Sequence, residues 1–478
     1  MQFKTASKWC KMSIIKAKCT YDNNIANCFI TNNNPNKFWS YLRNHTKSKT
    51  CDVNNLSIID NKGAVIEKSK ASNIINQHFY SFFTKQNVDK LNSINFSQSV
   101  NKDVKVSCPA EEITDHEIFK AVKKMKKSTS AGTDSIIDIF YWECLDIIMI
   151  YLRIMFNLIL WHGCYPESWK TAIIIPIPKK GKFSNLDNLR PISLLNVVSK
   201  IFEYIINNHL SMFIDNNNLL CKYQFGFHKY MSTTDNLLYF TKEVNEGLAN
   251  KNVVHAAYID FKHAFDCVSH KILIKKLINM NFHPSYVDII SNYLTNRTQI
   301  CYFNGIYSNS ININSGIPQG GLLAPLLFNI FINDLASIID CKYTLYADDI
   351  KIFKVIDLGN YAHDVEAFQA CLNSIWHWST INQLPINTTK TFIMVFASIG
   401  NNKLLRFKSP KPNDVLPNYN MGNQTIKLAN SITDLGIQYN NSLSYAEHMN
   451  NIRSKATHAI FSLSKNFRFT TIDIKLML

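Results

Sequence analysis

The chain has 478 residues, 46% of them apolar, enough for two to four domains or one elaborate multi-part enzyme. Lys and Arg number 51 against 35 Asp and Glu, a formal net charge of +16, which suits a polyanionic partner, nucleic acid first; a generally basic protein is the plain alternative. The 12 cysteines include no CxxC pair, which argues against zinc and for free thiols in a reducing compartment.

The N-terminus lacks a charged head, apolar core and cleavage site in sequence, so an intracellular place is expected. Residues 1–108 read as several short elements. A helix opens at 36–42, and an amphipathic helix at 71–83 carries Ile74, Ile75, Phe79, Phe82 and Phe83 on one side. The polar stretch 84–107 marks a boundary. The five lysines within 120–127 read as a solvated face, followed by a turn at 130–134. A helix over 143–160 contains the most membrane-like stretch, 147–160. That stretch is short of a span and carries Arg153 and Asn157, so a buried helix is expected and no membrane partner. A strand follows at 171–178, which its two prolines confine to an edge or an end. Ser193 is placed as the cap of a helix carrying Leu194, Val198, Ile201, Ile205 and Phe213.

Further on, a buried strand is expected at 253–260 and helices at 269–280 and 284–296. Segments 299–303 and 308–313 form a hairpin around Asn304-Gly305. A helix at 322–338 leads to a second hairpin at 342–353, a helix at 361–382, a strand at 391–397 and a last helix at 445–466. This alternation predicts an α+β fold, a mixed sheet packed on helices.

Two acidic signals stand out. Asp260 ends an apolar run, and Tyr346-Ala347-Asp348-Asp349 sits inside an alternating run; between them lies the turn-rich loop 315–321. A carboxylate at one strand end and an Asp-Asp pair at a hairpin tip can hold two Mg²⁺ ions, which clamp the attacking and leaving oxygens of a phosphoryl transfer. That chemistry points to a nucleotide polymerase. An isolated Asp-Asp pair is more often a solvated turn. The aromatic and β-branched strand before it, and the second strand ending in Asp260, favour a site.

These residues resemble known motifs. Tyr346–Asp349 resembles the YxDD box of reverse transcriptases, Asp260–Asp266 their motif A and Ser315–Gly321 their motif B. The spellings at 173–180, 189–195, 224–227 with 232–234, 382–391 and 434–437 are similar to those of non-LTR, jockey-like retrotransposons. The resemblance covers roughly 35–478. It implies a right-hand polymerase with fingers, palm and partial thumb, and a ferredoxin-like or RRM-like palm sheet. The implied divisions are a linker-like helical region at 1–108, fingers and palm at 109–439 and a truncated thumb at 440–478. The apolar run 472–478 is expected to lack its cover, as in a fragment of a longer element.

The resemblance also implies roles. Asp260, Asp348 and the backbone carbonyl of Phe261 would hold the two Mg²⁺ ions, with Asp349 in support. Phe265 stands where the family places a steric gate against a ribose 2′-OH; a core phenylalanine is the alternative. Lys179 and Arg190 would grip triphosphate oxygens, Gln319 and Gly320 would lie against the incoming nucleotide, and Lys390 would give a proton to pyrophosphate. Solvated lysines at 179 and 390 are the alternatives. Asp266 is read as a brace of the loop. The implied partners are an RNA template, a DNA primer or target, and dNTPs, in a ribonucleoprotein of the nucleus or cytoplasm. The chain departs from the family at His228, where Arg is usual, at Gly321, where Ser is usual, and at Pro385, where Lys is common. The rival readings are a noncatalytic nucleic-acid-binding remnant and a polymerase like those of group II introns.

Overall fold

The computed structural model describes residues 2–31, 37–41, 67–84, 111–128, 130–179, 185–397 and 417–467. Most of the expected boundary at 84–107, the lysines at 180 and 182 and the run 472–478 lie outside them. The chain forms two compact units. One comprises Met1–Leu56, Ile437–Tyr439 and Ser444–Leu478; the other comprises Ser57–Gly436 and Asn440–Leu443.

The smaller unit contains α1 (Gln2–Ile30), one long helix where several short elements are expected from the sequence. Its apolar residues follow no clean helical stripe, which hid it. Tyr41 donates to Asp22 Oδ1 at 2.7 Å, and Phe38 stacks on Phe467 at 5.5 Å. With Ile25 and Ala26 these rings are the unit's core.

The larger unit begins with α2 (Lys68–Tyr80), α3 (Asp115–Lys124), α4 (Asp138–Glu143) and α5 (Leu145–His162). A capping box of Thr114 and Glu117 starts α3, and Gly163 at φ +63° stops α5. α5 is not the buried helix expected. It buries Leu152, Phe156, Ile159 and Leu160 but leaves an opposite apolar face open. Among the described residues it is the one helix whose length and composition would let it cross a membrane.

Next come β1 (Thr171–Pro178) and β2 (Leu189–Leu194), then α6 (Val197–Asn216), α7 (Thr233–Ala249) and β3 (Val253–Ile259). Helices α8 (His270–Asn279) and α9 (Pro284–Leu294) precede β4 (Arg297–Phe303), β5 (Ile306–Tyr307) and β6 (Ile311–Ile313). Then follow α10 (Ala324–Ile332), β7 (Lys342–Tyr346), β8 (Asp349–Ile356), α11 (Tyr361–Ile381) and β9 (Phe392–Phe396).

Ser193 is not a helix cap. It lies in β2, and its N–H donates to Gln319 O at 2.8 Å; α6 starts only at Val197. β1 lies between β2 and β4, so it is no edge strand. Its parallel pairing with β4 covers only 171–174, which leaves both prolines beyond it at the strand's end. The Asn304-Gly305 hairpin forms, with its return split into β5 and β6, both paired to β4.

The second sheet positions the acidic residues. After β9 it takes in a short strand at Lys427–Leu428, giving the order 427–428, β9, β3, β8, β7. β3 is antiparallel to both β8 and β9, and all seven of its residues are buried, as a central strand requires. The mixed sheets and helices are those expected of an α+β chain.

Candidate active site

Strand register brings the acidic residues together. Ile259 of β3 pairs with Ile350 of β8, so the next step places Asp260 across from Asp349. Tyr346 pairs with Asp349 across the β7–β8 hairpin, which leaves Ala347 and Asp348 as its two-residue tip. Directly opposed residues of antiparallel strands have Cα atoms roughly 4.5–5.5 Å apart. One end of the sheet therefore carries all three carboxylates.

Their ionisation reflects that crowding. Burial, then the charges of Asp348, Asp434 and Asp260, pushes the Asp349 carboxyl up to about 7. Burial, followed by the charge of Asp260, also raises Asp348. Asp260 is raised by burial, against the pull of Lys390, Asn387 and Lys179. Asn387 pins Asp260 twice: its Nδ2 donates to Oδ2 at 3.2 Å and its N–H to the backbone carbonyl at 2.7 Å. Lys390 Nζ lies 3.8 Å from the same carboxylate while staying largely exposed.

Among the described residues, no group of three or more His, Cys, Asp or Glu side chains is arranged to hold a metal ion. The donor set nevertheless fits Mg²⁺. That ion favours one or two carboxylates completed by water and substrate phosphate over an all-protein cage. Crowded carboxylates that burial and mutual repulsion hold toward neutrality are the ones a divalent cation stabilises.

Ala347 has φ +56°, a left-handed conformation that costs a residue with a Cβ about 1–2 kcal/mol. Distant elements hold it there. Gln224 Oε1 accepts from Ala347 N–H at 3.2 Å and from Gly226 N–H at 2.9 Å. Phe225 N–H and Asn236 Nδ2 both donate to Leu345 O, at 2.9 and 3.3 Å. Asn329 Nδ2 from α10 donates to Gly226 O at 2.8 Å. A Cβ on Gly226 would stand 2.3 Å from Ala347 N, so only glycine lets the two backbones meet. The spelling of 224–227 resembles a family block but gives no role to Gln224, Asn236 or Asn329. Nothing local signals them, because their partners lie about a hundred residues away.

The predicted basic residues gather near the acidic end. Burial and the neighbouring charges of Lys390 and Arg190 lower the Lys179 ammonium. Its Nζ also donates to Asp187 O at 2.9 Å. Arg190, exposed on β2, lies close enough to pull the Asp348 carboxyl back down.

The loop after β6 docks on β2. Gly320, at φ +123°, passes so close to Ser193 that a Cβ would meet its carbonyl oxygen at 2.6 Å. Gln319 Nε2 donates to both carboxylate oxygens of Asp266 at 3.0 Å, and Ser315 Oγ donates to the Asp266 carbonyl at 3.0 Å. Asp266 thus braces the loop, as expected, and burial pushes its carboxyl up to about 7. Phe265 is half-buried, with its ring stacked 4.7 Å from Phe328. The Phe261 ring is buried in the core, and its backbone bridges to Ile386. There Lys262 N–H donates to Pro385 O at 2.8 Å. His228 lies 3.9 Å from Asp215.

A cleft of about 520 Å³ opens beside the carboxylates, lined by Asp260, Asp349, Lys390, Ser431, Asp434 and Leu435. A buried ion pair, Lys351 to Asp434 at 2.5 Å, forms part of its wall.

Residues 177–439 match the family described as reverse transcriptase (RNA-dependent DNA polymerase). Among curated proteins, the chain is 30% identical to the probable RNA-directed DNA polymerase from transposon BS of Drosophila melanogaster. That match covers 66% of this chain and 35% of the relative. It is 26% identical to the RNA-directed DNA polymerase from mobile element jockey of the same species, over 73% of this chain and 37% of the relative. A Pol polyprotein from type-1 retrotransposable element R2 of Nasonia vitripennis is 24% identical over 66% of this chain and 30% of its own length. The chain spans about a third of the length of these relatives.

Proposed function

Because the chain belongs to the reverse transcriptase family, we propose that it is an RNA-directed DNA polymerase of a non-LTR retrotransposon. It would add deoxynucleotides to a primer 3′-OH along an RNA template. The observation that carries this reading is the β3–β8 register, which sets Asp260 across from Asp349 beside the Ala347-Asp348 tip. In this reading 109–439 are fingers and palm, the sheet built on β3 is a ferredoxin-like palm, 440–478 belong to a thumb and 1–108 are a linker-like region.

Asp260, Asp348 and the Phe261 carbonyl would hold two Mg²⁺ ions, with Asp349 in support. When bound, such ions activate the attacking hydroxyl and offset charge on the phosphates. The other roles fall to this chain's own groups. Asn387 holds the Asp260 carboxylate in one orientation. Lys179 and Arg190 grip triphosphate oxygens, Arg190 through a bidentate fork and Lys179 as a point charge. Lys390, solvated and beside Asp260, gives a proton to departing pyrophosphate. Phe265 screens the sugar, its ring held from behind by Phe328. Gln319, fixed by Asp266, positions the loop that meets the incoming nucleotide. The protein would work inside the cell, in a ribonucleoprotein of nucleus or cytoplasm.

Primer extension on an RNA template with and without Mg²⁺ tests the reading. Extension that needs Mg²⁺ and disappears in Asp348→Asn, with nucleic-acid binding retained, is expected. Extension unaffected by Asp348→Asn would refute it.

A further inference from the structure

Residues 68–84 lie outside 177–439, the stretch that matches the reverse transcriptase family, yet they are built into the surroundings of the acidic site. Asn76 anchors α2 to the first sheet. Gln299 Nε2 of β4 donates to Asn76 Oδ1 at 2.9 Å, and Asn76 Nδ2 donates to Ser308 Oγ at 2.8 Å and to Asn309 O at 2.9 Å. A fully buried amide is costly unless its bonds are made, so these partners give α2 one seating on β4.

From that seating, 81–84 reach the turn that follows Asp260. The half-buried Phe82 ring stacks on the His263 ring, with centroids 3.6 Å apart and planes 13° from parallel. Thr84 Oγ1 donates to Cys267 O at 3.2 Å. Thr84 N–H donates at 2.9 Å to Ser315 Oγ, the same hydroxyl that donates to the Asp266 carbonyl. Between these grips the turn closes on itself: the N–H groups of Asp266 and Cys267 donate to His263 O at 2.9 and 3.0 Å. His263 has φ +48°, a conformation that a residue with a Cβ keeps only where its surroundings impose it. Phe82 and Thr84 thus hold the two ends of the turn, at 263 and 267. Phe265 sits midway between them, its ring against Phe328. A shift of the turn carries that ring with it. We propose that Phe82 and Thr84 are positioning residues of the nucleotide site: they hold the 263–267 turn so that Phe265 stays where it screens the sugar, a role that rests on the polymerase reading above.

The test uses the full 478-residue chain. Phe82→Leu keeps apolar bulk but removes the stack, and Thr84→Val keeps shape but removes the hydroxyl. Both should raise amide exchange at 264–267 severalfold and leave far-UV circular dichroism unchanged. In primer extension with a deoxynucleotide against its ribonucleotide, each should lower the ratio of the two kcat/KM values roughly tenfold. Phe82→Tyr, which keeps the stack, should retain wild-type selectivity. Phe265→Ala already lacks the screening ring, so adding Phe82→Leu to it should change selectivity no further. Unchanged exchange at 264–267 in both variants overturns the proposal. So does a selectivity ratio unchanged in both, or an additive loss in the double variant; either would leave 82–84 as packing alone. A wild-type chain that extends no primer would count against the polymerase reading instead, and the exchange arm would still decide whether Phe82 and Thr84 hold the turn.

Discussion

Replacing Gln224 by Leu tests what holds the acidic hairpin tip. The change keeps side-chain bulk but removes the acceptor shared by the Gly226 and Ala347 N–H groups. Gln224 is 2% exposed, so water cannot take its place. Each buried N–H left without a partner costs about 1–3 kcal/mol, and Ala347 can escape part of that by leaving its left-handed conformation. A loss of about 2–4 kcal/mol in urea unfolding is therefore expected, with faster amide exchange at Ala347. Gln224→Glu keeps an acceptor of the same reach. Its burial favours the neutral form, so at pH 6 it should lose less than about 1 kcal/mol and keep Ala347 protected. These readouts do not depend on polymerase activity. If Gln224→Leu cost under ~0.5 kcal/mol and exchange at Ala347 stayed slow, the brace would not be the cause of the strained tip.

Gly226→Ala should be worse than its single methyl suggests, because the clash is with backbone at 2.3 Å; the hairpin must shift, and extension should fall below detection while far-UV circular dichroism is kept. Gly321→Ser should lower the thermal midpoint, since a Cβ there meets Tyr293 Oη at 2.7 Å and Glu203 Oε2 at 3.0 Å, both side chains fully buried. Two buried groups should tilt stability against pH in opposite senses. Burial holds His255 down at about 4, so the native state stays neutral while the unfolded chain takes a proton; its contribution is lost as pH falls from about 6.5 toward 4. Burial raises Asp266 to about 7, so the native state keeps a proton that the unfolded chain releases; its contribution is lost as pH rises from about 4 to 7. Urea midpoints between pH 4 and 8 should rise more steeply with pH in Asp266→Asn and fall more steeply in His255→Gln, and unchanged slopes would contradict both assignments.

Much of the site was legible because its signals are local. A run such as Val253–Ile259 has one good home, a strand buried on both faces, and an aspartate at its end is then placed by the register. The hairpin tip announces itself through alternation on both sides. What stayed hidden is held by long-range partners. Ser193 carries a capping signal, yet pairing with Gln319 keeps it in β2, and the Asn196 side chain at the helix start accepts from Thr133 instead. Hydropathy marked α5 as apolar but could not say which of its faces the core would take. Gln224, Asn236 and Asn329 look like ordinary polar residues until the fold delivers backbone groups to them.

The acidic end therefore rests on two separable layers. The carboxylates supply charge, and β3 and β8 set their spacing through strand register alone. The shape of the tip comes from elsewhere: Gln224 and Asn236 of α7 bond backbone atoms at or near it, and Asn329 of α10 holds the Gly226 carbonyl that packs behind it. A backbone acceptor is indifferent to which residue the tip carries. The brace should then tolerate change at Asp348 and Asp349 without loss of fold, because no hydrogen bond in it uses either carboxylate. Conversely, damage to the brace leaves every carboxylate in the chain but lets the tip relax from φ +56°. Loss of charge and loss of shape are thus different failures. The first removes chemistry from a stable protein, and the second costs stability before chemistry is reached.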